Sequence, residues 1–181
     1  KLLRMLNEKF AVVAEFASVQ ANFGVVRNAY QQSERLGVDR WLAVIAAYAR
    51  AQGACCVLDC GTTITLDVVA ANGQHVGGYI VPGLLLLRET LGQRSAALQV
   101  APTSAQLVPG TSTEAAIANG VLNMALGFIR DQHQQLSDAA QMPLWYLTGG
   151  DAQLLASYIE WPCQLLPDLV LDGLRQQAGL M

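Results

Sequence analysis

Apolar and polar positions change period several times along the chain, and each change marks an element. Leu2, Leu3 and Leu6 have the spacing of a helix end, and the run FAVVAEFASV, Phe10–Val19, predicts a strand. Gly24–Tyr30 predicts a loop or short strand. From Asp39 onward, Trp41, Leu42, Val44, Ile45, Tyr48 and Ala49 recur with helical period as far as Gly53, the expected C-terminal stop. Asp39 therefore falls at or just inside a helix N-terminus, where first-turn amides and the positive dipole end favour its ionised form. A helix N-cap is the plain structural role for it there.

A short apolar run, Ala54–Leu58, then delivers Asp59 to the small-residue turn Cys60-Gly61-Thr62-Thr63, and a second β-branched run leaves through Ile64, Leu66, Val68 and Val69. Asn72-Gly73 predicts a tight hairpin returning as a third antiparallel strand from His75 to Ile80, which Gly77-Gly78 interrupts where backbone or ligand comes close. Pro82-Gly83 open a helix over Leu84–Gln93, and Ser95–Gly110, after a lone Arg94, predicts a loop. Thr111, three residues ahead of Glu114, has the pattern of a helix cap, and the helix that follows, to about Gln135, is apolar on more than one face. Pro143–Thr148 predicts a strand, Asp151–Ile159 a helix, Trp161–Leu166 a strand and Asp168–Gln177 the last helix. After residue 53 the order is thus three antiparallel strands, two helices, strand, helix, strand, helix. It matches one lobe of an α/β fold of the ribonuclease-H-like (actin-like ATPase) kind.

Composition narrows the function. The chain has 181 residues, 52% hydrophobic and 14% charged, with a net charge of −3, so it offers no basic footprint for nucleic acid. No apolar run reaches the length of a membrane span, and no signal peptide is visible, so the expectation is a cytoplasmic protein that engages neither nucleic acid nor membrane. So little charge on so apolar a chain also predicts an oligomer interface. Cys55, Cys56, Cys60 and Cys163 lack metal-ligand spacing and read as free, small hydrophobes. His75 and His133 read as surface or internally satisfied histidines.

The chemistry concentrates at the first turn. Gly61 admits a ligand close to its amide, and the hydroxyls of Thr62 and Thr63 add donors that suit phosphate oxygens. Asp59 beside a phosphate has a natural role in holding the neutralising cation; equally, it can cap its own turn, and spacing alone leaves both readings open.

Several stretches in order resemble one family: GVVRNAY at 24–30, LGVDRW at 36–41, LDCGTTITLD at 58–67, GGYIVPG at 77–83, a threonine-led helix at Thr113 and LTGGD at 147–151. Together they are similar to type III pantothenate kinase, of the acetate and sugar kinase, heat-shock protein and actin superfamily. The resemblance implies ATP-dependent phosphorylation of the primary alcohol of pantothenate, the first step of coenzyme A biosynthesis, with Mg2+ and a monovalent cation (K+ or NH4+). It implies Asp39 as general base; Tyr30, Gly37, Val38, Asp39 and Arg40 as pantothenate contacts; and Thr113 reaching pantothenate from the other subunit of a homodimer. Gly61, Thr62, Gly149 and Gly150 would meet ATP, and Asp59 would bind the monovalent cation. The alternative is a non-catalytic accessory or regulatory protein of the same fold. On this resemblance residues 1–50 are the remainder of an N-terminal lobe with the substrate-binding segment, and residues 51–181 are the C-terminal lobe. The family's opening Asp-x-Gly-Asn-Thr/Ser phosphate loop has no counterpart in the sequence. The expectation is that roughly 60 residues of an N-terminal portion precede Lys1, about half a small lobe, and that this chain alone is weak or inactive.

Overall fold

The computed structural model describes residues 5, 8–11, 14–93, 105–137 and 142–180. Leu2, Leu3, Leu6, Arg94 and residues 95–104 of the predicted loop lie outside them. A small antiparallel hairpin, β1 (Asn22–Phe23) and β2 (Val26–Arg27), precedes α1 (Val38–Ala51). Five strands then build one mixed sheet: β3 (Cys55–Cys60), β4 (Thr63–Val69), β5 (His75–Pro82), β6 (Leu144–Thr148) and β7 (Cys163–Leu165). Their spatial order is β5-β4-β3-β6-β7, with β3, β4 and β5 antiparallel in succession and β6 and β7 parallel to β3. This is the ribonuclease-H-like arrangement that the element order predicts. The remaining helices are α2 (Leu84–Gln93), α3 (Thr113–Ser137), α4 (Ala152–Ala156) and α5 (Leu169–Gln177).

The central strands β3, β4 and β6 are buried on both faces while β5 is largely exposed, and the alternation of side chains along the central strands sorts them into two cores. Cys56, Leu58 and Cys60 of β3 join Ile64, Leu66, Trp145 and Leu147 against Leu122, Leu126 and Ile129 of α3. Cys55 and Val57 face the other way, with Val69 and Tyr146, against Trp41, Leu42 and Ile45 of α1. α1 also packs along α5, where Gly173 comes up against the backbone of Leu42. Burial pushes the thiols of Cys55 and Cys60 up to about 12 and that of Cys56 higher still, which leaves them as protonated core side chains.

The structure corrects the sequence reading in several places. The described part of Phe10–Val19 is not a strand: Phe10 is helical, and residues 14–20 have no regular structure. Phe16 is 71% exposed there; strand-forming residues make a strand only where a neighbour pairs with them. Gln52, at φ 48°, takes the left-handed position that ends α1, one residue before Gly53. At α3 the cap is Ser112 rather than Thr111: its Oγ accepts from the Ala115 N–H at 3.2 Å. Strand β7 covers only Cys163–Leu165 and α4 only Ala152–Ala156, each shorter than predicted.

Candidate functional site

Helix α1 leads directly into β3 and runs back across it, so its N-terminus lies over the C-terminal end of β3. There one row of the sheet's α1 face reads Thr148, Asp59, Thr65, Ile80 across four strands. Asp59 sits half-buried in this row with Asp39 nearby. Burial raises the pKa of Asp59 above the ordinary carboxylate value, and the charges of Asp39 and then Asp67 raise it further. Sites that gather like charges in this way are suited to a cationic ligand.

Asp39 is exposed in the first turn of α1, and its Oδ1 accepts the N–H of Arg40 at 2.8 Å. The N-cap position belongs to Gly37, without a side-chain cap, so the plain capping role for Asp39 does not hold. Gly37 nevertheless stays beside the Asp39 carboxylate, while Val38, 38% exposed, opens the helix between them. Gly61 and exposed Thr62 make the two-residue turn between β3 and β4, with the Gly61 amide bonded to the Thr63 carbonyl at 3.0 Å. Gly149 follows β6 at φ +91°, and a Cβ there would stand 2.5 Å from Asp59 Oδ1. A side chain would therefore block the Asp59 carboxylate on that side. Gly150 is exposed beside it, and the Asp151 N–H bonds the Cys60 carbonyl at 2.9 Å. The turn after β3 and the turn after β6 thus meet at Asp59.

Arg40 and Tyr30 belong to a buried circuit next door. Arg40 is only 7% exposed; its Nε donates to Asp67 Oδ2 at 2.8 Å and its Nη2 to Asp67 Oδ1 at 2.6 Å. Its Nη1 donates to the Tyr30 hydroxyl at 3.2 Å. Burial works against the charged guanidinium, but the bonds to Asp67 and its charge, with a smaller part from Tyr30, outweigh it and raise the Arg40 pKa. His75 Nε2 lies 2.9 Å from Asp67 Oδ1, and the Tyr30 ring stacks on the His75 ring at 6.4 Å between centroids. His75 is thus internally satisfied, as expected, and fully buried. His133, half-buried, stacks instead on Trp161 with centroids 3.8 Å apart.

Sequence reasoning assigned no role to Asp67, although it lies inside LDCGTTITLD. The available signal was a carboxylate in the middle of a buried strand, a position that requires a partner. Thr113 is not brought to this site in the single chain. It is exposed at the start of α3 and borders an apolar groove of about 490 Å³ with Leu87, Leu91, Ile117, Val121 and Met124, a groove that Tyr30, Asp39, Arg40 and Asp59 do not line.

Burial and the neighbouring negative charges disfavour the ionised form of Asp59. Among the described residues no group of three or more His, Cys, Asp or Glu side chains forms a metal-binding cluster, and no helix is long and apolar enough to cross a membrane.

The sheet order, with acidic side chains gathered where two small-residue turns meet, defines an α/β protein of the ribonuclease-H-like class. A family model described as type III pantothenate kinase matches residues 1–135. The type III pantothenate kinase of Pseudomonas paraeruginosa (strain DSM 24068 / PA7) is 39% identical over 181 residues, covering 96% of this chain and 72% of that protein. That of Pseudomonas fluorescens (strain SBW25) is 37% identical over 191 residues, covering 99% and 74%. The chain belongs to the type III pantothenate kinase family. Among solved structures it is similar to a conserved putative Baf family transcriptional activator from Campylobacter jejuni, with a TM-score of 0.60 and 28% identity over 84% of this chain and 66% of that one.

Proposed function

We propose that this chain belongs to an enzyme that transfers the γ-phosphoryl group of ATP to the primary alcohol of pantothenate, the opening step of coenzyme A biosynthesis. The observation that carries the reading is the meeting of Asp39 and Asp59 at one end of the sheet, in a chain of this family. The hydroxyl oxygen forms a bond to the γ-phosphorus as the bond from phosphorus to the β–γ bridging oxygen breaks, and the hydroxyl proton passes to Asp39. Such transfers depend on alignment and charge neutralisation more than on a strong base. Asp39, held through one oxygen by the Arg40 N–H, orients the hydroxyl with the other.

The nucleotide lies along the two turns, its phosphates at Gly61 and Thr62 and its nucleoside at Gly149 and Gly150, with Mg2+ carried chiefly by the phosphates. Asp59 holds K+ or NH4+, which supplies part of the neutralisation. Pantothenate lies between Tyr30, Gly37, Val38 and Arg40, and Thr113 of a second subunit closes it in a homodimer. A cytoplasmic location suits these substrates.

The test is Asp39→Asn in the full-length protein, with ADP release measured in the presence of pantothenate. Turnover falls by about 10² to 10⁴, the usual size of a general-base effect, while ATP binding persists. Activity within about threefold of wild type removes Asp39 from the base role. Nucleotide binding with no pantothenate-dependent turnover in the full-length wild-type protein favours the accessory reading.

A further inference from the structure

Resting on that functional reading, we propose that Asp67 and His75 are positioning residues of the acceptor site, which set the Arg40 guanidinium and turn the Tyr30 hydroxyl toward substrate. The four side chains come from four separate parts of the chain: Tyr30 from the segment after β2, Arg40 from α1, Asp67 from β4 and His75 from β5. They close a ring of contacts. The Ala29 amide points at His75 Nδ1, 3.5 Å away, which places the imidazole proton on Nε2, where it donates to Asp67 Oδ1 at 2.9 Å. Asp67 then spends both oxygens on Arg40, with Oδ1 shared. A bidentate pair of this kind fixes the plane of the guanidinium as well as its position.

The consequence for substrate lies at Tyr30. Its oxygen accepts from Arg40 Nη1 at 3.2 Å, and its ring runs nearly parallel to that of His75, 11° between planes with centroids 6.4 Å apart. Since the guanidinium has no acceptor, the phenolic proton must point elsewhere, and Tyr30 is left as a donor. A donor with its ring fixed selects an acceptor molecule that presents a carboxylate or amide carbonyl oxygen, both of which pantothenate carries. The sheet is also built around the pair: Gly78 lies opposite Asp67 in the β4–β5 register, and a Cβ there would stand 2.6 Å from Asp67 Oδ1 and 2.7 Å from Arg40 Nη2. Neither Asp67 nor His75 needs to touch substrate; each acts through Arg40 and Tyr30.

The experiment compares Asp67→Asn, His75→Leu, His75→Gln and Tyr30→Phe with wild type. KM for pantothenate, KM for ATP and kcat are measured separately, together with the thermal unfolding midpoint. Asp67→Asn, His75→Leu and Tyr30→Phe raise the pantothenate KM about tenfold, the scale of one lost hydrogen bond, and leave the ATP KM within about twofold. His75→Gln, which keeps an N–H for Asp67, recovers most of the loss. The proposal is overturned if folded His75→Leu leaves the pantothenate KM unchanged, if His75→Gln and His75→Leu behave alike, or if both KM values rise together. Should Asp67→Asn or His75→Leu fail to fold, Tyr30→Phe, which keeps its ring on His75, decides: an unchanged pantothenate KM overturns the proposal. Full-length wild-type protein that does not phosphorylate pantothenate is a different outcome, and it overturns the functional reading beneath.

Discussion

Arg40 and Asp67, 27 positions apart in the chain, meet through two hydrogen bonds of 2.8 and 2.6 Å. Their side chains are 6% and 2% exposed. Charges so far removed from water are tolerated only as a pair, and the pairing fastens the N-terminal turn of α1 to the centre of β4. Asp39 lies in that turn, so the buried pair also fixes the height of the N-terminal end of α1 above Asp59.

Breaking the pair from one side is therefore expensive. Arg40→Met leaves the Asp67 carboxylate buried with only His75 beside it, and the expected loss is about 3 to 5 kcal/mol. Adding Asp67→Leu removes the stranded charge and restores part of that stability. Urea unfolding of the two variants checks this; a double variant no more stable than Arg40→Met contradicts it.

Asp59 has the opposite character, since its pKa is raised by burial and by Asp39 and Asp67. A folded-state pKa above the unfolded value contributes stability that is fully present below the unfolded pKa and is lost as pH rises through the folded pKa. At neutral pH the ionised Asp59 thus weighs against the ligand-free fold. Asp59→Asn becomes more stable than wild type as pH climbs from about 4 to 7, and the gap closes on acidification. K+ narrows the same gap by stabilising wild type alone, and activation by K+ weakens in the variant. Unfolding midpoints with K+ and with a large organic cation in its place measure both effects.

Thr113 and the apolar groove beside it make a prediction about assembly. Met124 on α3 is 54% exposed and Leu85 on α2 63%, which is consistent with a partner covering these helices. A symmetric dimer is expected at micromolar concentration by sedimentation equilibrium. Thr113→Ala stays dimeric and binds pantothenate about tenfold more weakly in calorimetric titration. Monomeric protein with full pantothenate affinity rules out a shared site.

Gly78→Ala tests the crowding at the buried pair without changing any charge. The added methyl runs into the Leu66 carbonyl as well as Asp67 and Arg40, and neighbouring backbone cannot yield freely. The expected cost is about 1 to 3 kcal/mol by thermal or urea unfolding, with a weakened acceptor site. Gly77→Ala beside it meets no atom within 4 Å, but its φ of +128° strains any side chain. Gly77→Ala should therefore lose stability through the backbone and leave the pantothenate KM unchanged.

Much of the fold was legible because it is written in local periods. The β3–β4 turn at Gly61-Thr62, the Asn72-Gly73 hairpin and the order of helices and strands after residue 53 all follow from alternation, helical spacing and turn residues. The Phe10–Val19 run misled because strand propensity becomes a strand only beside a free sheet edge. The cap at Ser112 and the stop at Gln52 were each missed by a single residue, since several neighbours could fill either role and packing of the helix selected among them.

For the site, local pattern alone marked out Asp59 and Gly61, a carboxylate and a small residue at a bend, whereas Asp39 and Gly149 became candidates through the family resemblance. Only the tertiary structure decided that α1 crosses back over β3 and brings Asp39 and Asp59 within reach of one another's charge. It alone decided that Arg40 belongs to Asp67, and that His75 and Tyr30 complete their circuit. The reason is physical. A buried ion pair is specified by the register of β4 against β5 and by the angle at which a helix lies on the sheet, and neither quantity is encoded in the spacing of residues along the chain.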